Sequence, residues 1–321
     1  MRTSTRSLTR WRPVVMTAIT IGVSSAAAVA LIASPRAVAP AKVELCHRTG
    51  NGSFNAISVS DNALATHLGH GDVLQPNGLA PGGNGAFDSA CNVISWTYGV
   101  NAAPDTAAQD PLSPGNLFVG SGIPATLFGT ARNLTAGIEL GMMVLYRQGP
   151  NVASLDDYAD GVLNFAVNSG PQSVANGSSG PNAGRAAWNF TFSVATGLGG
   201  ATTDLNDFTF QLLYDVDPGP GTVYRTLTLE PGVAAPGKSG FQWRDVPLNL
   251  VFINDDEGNV NVTQNSENYA FSFFQGFPPL LGSLYTQANA FTGPAQFDLI
   301  LQAFSGPQLI ARNHIVVNVG P

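Results

Sequence analysis

Short apolar runs, each about as long as one β-strand, dominate the chain after residue 100 and limit what it can fold into. Clusters of Gly, Pro, Asn or Asp separate most of them, and no amphipathic helical stripe of three turns appears in this region. Apolar and polar residues alternate in Trp188–Val194 and Phe208–Leu212, as in strands with one buried and one solvated face. Many short strands joined by turns predict a mainly β fold, an antiparallel β-sandwich of the jelly-roll or immunoglobulin-like kind. The predicted strands are Ile138–Tyr146, Val162–Val167, Ala187–Ala195, Phe208–Tyr214, Tyr224–Leu229, Leu248–Ile253, Tyr269–Phe274, Phe297–Phe304 and His314–Val319.

The first 41 residues have the three-part pattern of a secretory signal peptide. Four arginines and no acid precede an apolar, Ala-rich run from Val14 to Ala33, and small residues follow. Because Pro40 disfavours cleavage after Ala39, we expect the mature chain to begin at Lys42. The alternative is an uncleaved anchor, since the run approaches the roughly 20 residues that span a bilayer. Its Ser, Thr and Gly residues favour a signal peptide, and hence a secreted, periplasmic or cell-surface protein with no membrane contact after cleavage.

The chain after residue 41 is strongly acidic. Five of the 14 basic residues precede Lys42, whereas the first acidic residue is Glu44. The mature chain therefore has nine basic and 21 acidic residues and a formal charge of −12. Such a surface is a poor partner for nucleic acid. The low charged fraction and the many Gly, Asn, Ser, Thr and Pro residues are typical of a turn-rich extracellular β protein. Its expected partners are extracellular matrix, polysaccharide or another surface protein.

Residues 42–98 are predicted to form a small α+β module, with strands at Val43–Arg48 and Phe54–Val59 and a short helix from Asn62 to about Leu68. Cys46 and Cys91 both lie in this module, and an even count in an oxidising compartment predicts one disulfide. That bond closes a loop of about 45 residues and is worth roughly 3–4 kcal/mol. Residues 99–116 are then a linker, and residues 117–321 form the sandwich domain.

Three of the four histidines lie within 24 residues of one another in this module, at His47, His67 and His70. His67 and His70 share one face of the predicted helix, and with His47 they make a three-imidazole set suited to zinc or copper. Under the alternative interpretation, Cys46 is oxidised and the histidines are packing and capping residues. The sequence favours this alternative, a disulfide and no tightly held metal. Asp72 follows Gly71 and is expected either beside His70 as a hydrogen-bond partner or in a turn.

The remaining polar clusters carry weaker signals. Asp255 and Asp256 lie in a loop that could hold calcium, but the spacing does not match the twelve-residue calcium loop, and turn chemistry is favoured. The chain has no Gly-x-Ser-x-Gly, no His-Glu-x-x-His and no phosphate-binding loop. No catalytic or organic cofactor residues are therefore assigned.

The sequence favours an exported non-catalytic surface, matrix or binding protein, and the alternative is a metal-dependent extracellular hydrolase that uses the N-terminal histidines.

Two parts of the chain resemble other exported proteins. The segment from Cys46 through Ile57–Ser60 to Ala65–Asp72 resembles a small module of exported bacterial proteins, with Cys-His followed by Ala-x-His-Leu-x-His-Gly-Asp and a later Cys. Pieces of residues 115–319 resemble uncharacterised secreted β-rich proteins of the PEP-CTERM exoprotein type, although the sorting tail is absent. The second resemblance implies a β-rich exoprotein, and neither resemblance assigns an activity to this chain. The pieces are Thr135–Gly141, Leu213–Pro218, Val262–Asn268 and the ending from Phe297 through Val317.

Overall fold

The computed structural model describes residues 41–102, 127–158, 160–177, 180, 182–217, 219, 221–231, 241–245, 250–254, 260–268 and 293–320. The predicted signal peptide up to residue 40, the predicted strand Tyr269–Phe274 and the loop with Asp255 and Asp256 lie outside these residues. In the described part of the chain, no helix has the length and hydrophobicity that a membrane span requires.

The described chain consists mainly of β-strands, with one α-helix near its beginning. Three short 3₁₀ turns lie at Val174–Asn176, Leu198–Gly200 and Leu205–Asp207. In chain order the elements are β1 Lys42–Arg48, β2 Phe54–Ser60, α1 Asp61–Gly69, β3 Val73–Leu74, β4 Gly85–Phe87, β5 Val93–Ser95, β6 Thr97–Ala102, β7 Phe128–Asn133, β8 Ile138–Tyr146, β9 Asn151–Val152, β10 Leu163–Val167, β11 Pro171–Gln172, β12 Asn182–Ala186, β13 Trp188–Thr196, β14 Thr209–Asp215, β15 Tyr224–Pro231, β16 Phe241–Asp245, β17 Leu250–Asn254, β18 Val262–Asn268, β19 Ala295–Ser305 and β20 Gln308–Val319.

Two large sheets form the body of the protein. One has seven strands in the order β10-β20-β19-β14-β15-β16-β17, and the other runs β18-β13-β8-β7-β6 with β9 beside β8. Neighbouring strands are antiparallel except for β10, which lies parallel to β20 at the edge of the first sheet. Three smaller pieces, β2-β1-β3, β4-β5 and β11-β12, complete the described sheets. The predicted mainly β, antiparallel fold with a small disulfide-linked module in front is confirmed.

Large aromatic side chains from both sheets fill the space between them. Trp188 and Phe192 come from β13, while Trp243 comes from β16 and Phe297 from β19, and all four are fully buried. The rings of Phe192 and Trp243 meet edge to face with centroids 5.2 Å apart, and Trp188 lies 5.8 Å from Phe297. Edge-to-face contacts at this distance stabilise a core beyond the area they bury. Trp188 and Trp243 are therefore core residues.

The prediction that the polar face of β13 is solvated is wrong, because every residue of this strand is buried. Its polar residues are accommodated by hydrogen bonds to β18. Asn189 and Thr191 both contact the Ser266 hydroxyl, and the Gln264 amide donates to the Ser193 hydroxyl. Alternation of polar and apolar residues therefore identifies the strand here without showing that its polar face is solvated. In β14 the inward positions Phe210, Leu212 and Tyr214 are buried and the residues between them are more exposed, as predicted.

Several elements differ from the sequence-based expectations. The strands β7, β16 and β18 were not predicted, because each carries Gly, charged or Asn residues that weaken the apolar pattern. The short strands β11 and β12 also pair, in a stretch where no strand was predicted. The strand β6 pairs with β7, so the chain joins the large sheet at Thr97, within the segment assigned to the module.

Glu267 is a carboxyl group buried on β18, and its register partner across the sheet is Phe190 of the core. Burial raises the pKa of Glu267 to about 8, although the positive charge of Arg147 acts in the opposite direction. The native protein therefore keeps a proton that an unfolded chain, with a Glu pKa near 4.3, loses as the pH rises. Since the native state binds more protons across this window, its stability falls from about pH 4.3 to about pH 8.

We expect Glu267→Gln to remove this loss, because the amide mimics the protonated acid. The variant should match the native protein at pH 5 and exceed it at pH 8.5 by about 4 kcal/mol in the free energy of unfolding, because about three pH units at 1.36 kcal/mol each separate pH 5 from the raised pKa. Urea unfolding at the two pH values measures the difference. The matched control is Glu44→Gln, at an exposed position, which should leave the pH dependence unchanged. A Glu267→Gln variant with the native protein's slope between these pH values would contradict the assignment.

Candidate functional site

The N-terminal module is built around the disulfide between Cys46 of β1 and Cys91, whose Cα atoms are 5.5 Å apart. The predicted pairing is thus confirmed, and no cysteine is free. Both cysteines are buried and pack against Ala80 and Phe87 in a small separate core. Because His47 follows Cys46 directly, the disulfide fixes the strand that carries the first candidate ligand.

Local backbone geometry brings two histidines to one aspartate. The strands β1 and β3 pair with Cys46 opposite Val73, so Asp72 lies at the level of His47. The helix α1 ends before Gly71, whose φ of +87° is left-handed and lets the chain turn back towards β1. The Asp72 amide then donates to the carbonyl of His67, 3.2 Å away, which holds the aspartate beside the last turn of the helix.

Asp72 is the centre of the resulting cluster. One oxygen of its carboxylate, Oδ2, lies 2.8 Å from Nδ1 of His47 and 2.7 Å from Nδ1 of His67. The other oxygen, Oδ1, accepts the backbone N–H of Arg48 at 2.8 Å. The Asp72 side chain is 0% exposed, whereas those of His47 and His67 are 38% and 26% exposed. A buried carboxylate thus supports two imidazoles whose outer edges reach solvent.

Hydrogen bonding keeps Asp72 ionised. Burial alone would raise its pKa, but the hydrogen bonds from His47, the Arg48 amide and His67 outweigh burial and hold the pKa at about 2. An ionised carboxylate only accepts hydrogen bonds. Both imidazoles therefore carry a proton on Nδ1 in this arrangement, and Asp72 fixes their orientation.

His70 lies next to this cluster without joining it. Its ring centroid is 6.4 Å from that of His67, and its side chain is exposed. The predicted set of His47, His67 and His70 is therefore assembled only in part, with Asp72 in the position expected for the third histidine. Asp72 contacts His47 and His67, and the expected contact with His70 is not formed. The Gly-Asp pair after the helix was the available signal, but the sequence alone does not show which histidine the aspartate faces.

A second histidine–aspartate pair, which the sequence analysis missed, lies on the β19–β20 hairpin. His314 Nε2 is 2.7 Å from Asp298 Oδ1, and His314 Nδ1 is 3.0 Å from a guanidinium nitrogen of Arg312. Arginine only donates, so Nδ1 accepts and Nε2–H donates to Asp298. Burial lowers the pKa of His314, with the Asp298 hydrogen bond opposing it. The imidazole is therefore neutral near pH 7, and both of its nitrogens are already occupied.

Comparison with known proteins returned no relative: no protein-family model, curated protein or solved structure matches the chain. The resemblances noted from the sequence remain predictions. The function therefore has to be inferred from the fold and from the geometry of the two histidine–aspartate clusters.

Proposed function

We propose that the chain is an exported, non-catalytic protein that acts outside the cytoplasm as a surface, matrix or binding protein. The signal-peptide pattern of the first 41 residues supports export. So does the Cys46–Cys91 bond, because such disulfides persist in oxidising compartments. The formal charge of the mature chain argues against nucleic acid as a partner.

The observation that carries the non-catalytic assignment is how the histidines are used. In acyl-transfer hydrolases a histidine nitrogen contacts a Ser or Cys nucleophile. Here Asp298 and Arg312 occupy both nitrogens of His314, and Asp72 occupies Nδ1 of His47 and of His67. Among the described residues, no Ser, Thr or Cys side chain hydrogen-bonds to a histidine ring, and both cysteines are oxidised.

A cleft in the described part of the chain supports a binding role. Its volume is about 580 Å³, which lies in the usual range for small-ligand sites. It lies beside β5, the β7–β8 turn and the β19–β20 hairpin, and residues such as Ile94, Thr135, Thr203, Phe208 and Ile310 line it. None of the lining residues is charged. A neutral ligand with apolar and hydroxyl groups, such as a segment of polysaccharide, suits this lining.

The alternative function is a metal-dependent hydrolase that uses the N-terminal cluster. The observation in its favour is the contact of Asp72 with both His47 and His67. Zinc hydrolases also need a general base beside the metal-bound water. In the described module Asp72 is the carboxylate at the cluster, and its two oxygens already accept three hydrogen bonds.

We expect the mature chain, residues 42–321, to show no turnover on chromogenic ester, peptide and glycoside substrates, with or without added zinc. Steady-state assays at micromolar protein measure this directly. As a control for contaminating enzymes, any residual rate should be identical in the Asp72→Asn variant. Hydrolysis that persists through purification and disappears in Asp72→Asn would replace the proposal with the hydrolase alternative.

A further inference from the structure

We propose that His47, His67 and Asp72 form a binding site for one divalent transition-metal ion, with zinc as the ion that the ligand set fits best. The ligand atoms are Nδ1 of each histidine and Oδ2 of the aspartate. This inference goes beyond the proposed function and does not depend on whether the protein is catalytic.

The spacing of the three atoms is close to that of a metal centre. One ligand atom from each residue lies within 4.8 Å of the other two, and Oδ2 is 2.7–2.8 Å from Nδ1 of each histidine. Zinc bonds of about 2.0–2.1 Å in tetrahedral geometry place neighbouring ligand atoms about 3.3 Å apart. An opening of about 0.5 Å between the carboxylate and the rings therefore admits the ion. Movement on this scale needs only small side-chain rotations.

A disulfide, a strand pairing and a backbone hydrogen bond hold the elements that carry the ligands. The disulfide ties His47's neighbour, Cys46, to Cys91, and β3 holds Asp72 against β1. The hydrogen bond from the Arg48 amide to Oδ1 fixes the carboxylate and leaves Oδ2 directed at both rings. Ligands that are already assembled lose little conformational entropy when an ion binds.

The protons on the two rings can be rearranged without a charge cost. When the ion takes Nδ1, each ring moves its proton to Nε2 and stays neutral, so the site contributes one negative charge to a divalent ion. The structure gives Nε2 of His47 and of His67 no hydrogen-bond partner in the described chain, and both rings are partly exposed. Water can therefore accept a hydrogen bond from each relocated N–H group.

The donor atoms select the ion. Two imidazoles and one carboxylate suit zinc and its first-row neighbours, whereas calcium requires six or more oxygens. Oxidation removes Cys46 as a thiolate ligand. His70 is exposed and its ring centroid lies 6.4 Å from that of His67, so water is expected as the remaining ligand.

The test measures zinc binding by the mature chain and three variants. Chains freed of metal with EDTA are titrated with zinc chloride by calorimetry, and desalted samples are analysed for zinc. We expect about one ion per chain in the native protein and in His70→Ala, the matched control. His67→Ala and Asp72→Asn should bind zinc at least about tenfold more weakly, because the first removes an imidazole ligand and the second replaces the carboxylate with a neutral amide. Absence of stoichiometric zinc from the native chain, or loss in His70→Ala with retention in Asp72→Asn, would overturn the proposal.

A second measurement avoids dependence on variants that fail to fold. In the native chain labelled with ¹⁵N, zinc should shift the Nδ1 resonances of His47 and His67 and move their protons to Nε2. The resonances of His70 and His314 should stay in place. A zinc-induced shift confined to His70, or no shift at any of the four histidines, would contradict the proposed ligands.

Discussion

Loss of hydrogen bonding at Asn313, in Asn313→Ala, is expected to lower the free energy of unfolding by about 3–5 kcal/mol. Asn313 lies on β20 of the seven-stranded sheet and is fully buried. Its amide donates to the carbonyls of Gly129 at 2.7 Å and Leu140 at 3.0 Å, on β7 and β8 of the other sheet. Its carbonyl accepts the hydroxyl of the buried Tyr158 at 2.6 Å. The side chain of Asn313 thus makes hydrogen bonds to three buried groups and joins the two sheets.

The cost follows from what Asn313→Ala leaves behind. Each buried polar group without a partner costs about 1–3 kcal/mol, and the shortened side chain leaves a small cavity besides. Urea unfolding at neutral pH measures the loss. The control is Asn55→Ala at an exposed position of β2, where we expect a change below about 0.5 kcal/mol. If the two variants lose the same small amount, Asn313 does not join the sheets as the structure indicates.

Removal of the disulfide, in Cys46→Ala with Cys91→Ala, is expected to cost about 3–4 kcal/mol. The bond closes a loop with a sequence separation of 45, which restricts the unfolded chain. The module has little else to replace it, since its own buried core consists of the two cysteines with Ala80 and Phe87. The effect should be strongest in the module, although Asn77 also ties it to the β19–β20 turn through Pro307 and Leu309.

Two measurements check this loss. The midpoint of urea unfolding should fall in the double variant, and the native chain treated with a thiol reductant should fall to the same value. Limited proteolysis should then cut first within residues 42–98. A double variant as stable and as protease-resistant as the oxidised native chain would show that hydrogen bonds and packing alone hold the module together.

The parts of the fold that were predictable are those fixed by local patterns. Alternation and turn residues identify β8, β13, β14 and β19 with nearly correct bounds. The pattern fails where a strand's packing is set by distant residues. The polar side of β13 is buried because Ser266 and Gln264, more than 70 positions later, supply hydrogen bonds. The strand β16 was missed because Arg244 and Asp245 interrupt its apolar pattern. The core position of Trp243 is evident only from its contact with Phe192 on the other sheet.

The candidate site was predictable to a similar degree. The even cysteine count and the expected oxidising compartment suffice to predict the disulfide, and the density of histidines indicates the right module. The choice of Asp72 over His70 depends on the register of β3 against β1 and on the turn at Gly71. Neither can be derived from spacing along the chain. The pair formed by His314 and Asp298 arises between adjacent strands, 16 positions apart, where no short motif reports it.

The proposed export and the Cys46–Cys91 disulfide of the N-terminal module can be tested together. The most direct test is the intact mass of the protein recovered, without reductant, from the periplasm or medium of a bacterium that expresses the full sequence. We expect a chain that begins at or near Lys42 and weighs two hydrogens less than the same chain after reduction. A mass that includes Met1 or Arg2, found in the membrane fraction, or an unchanged mass after reduction, would contradict it.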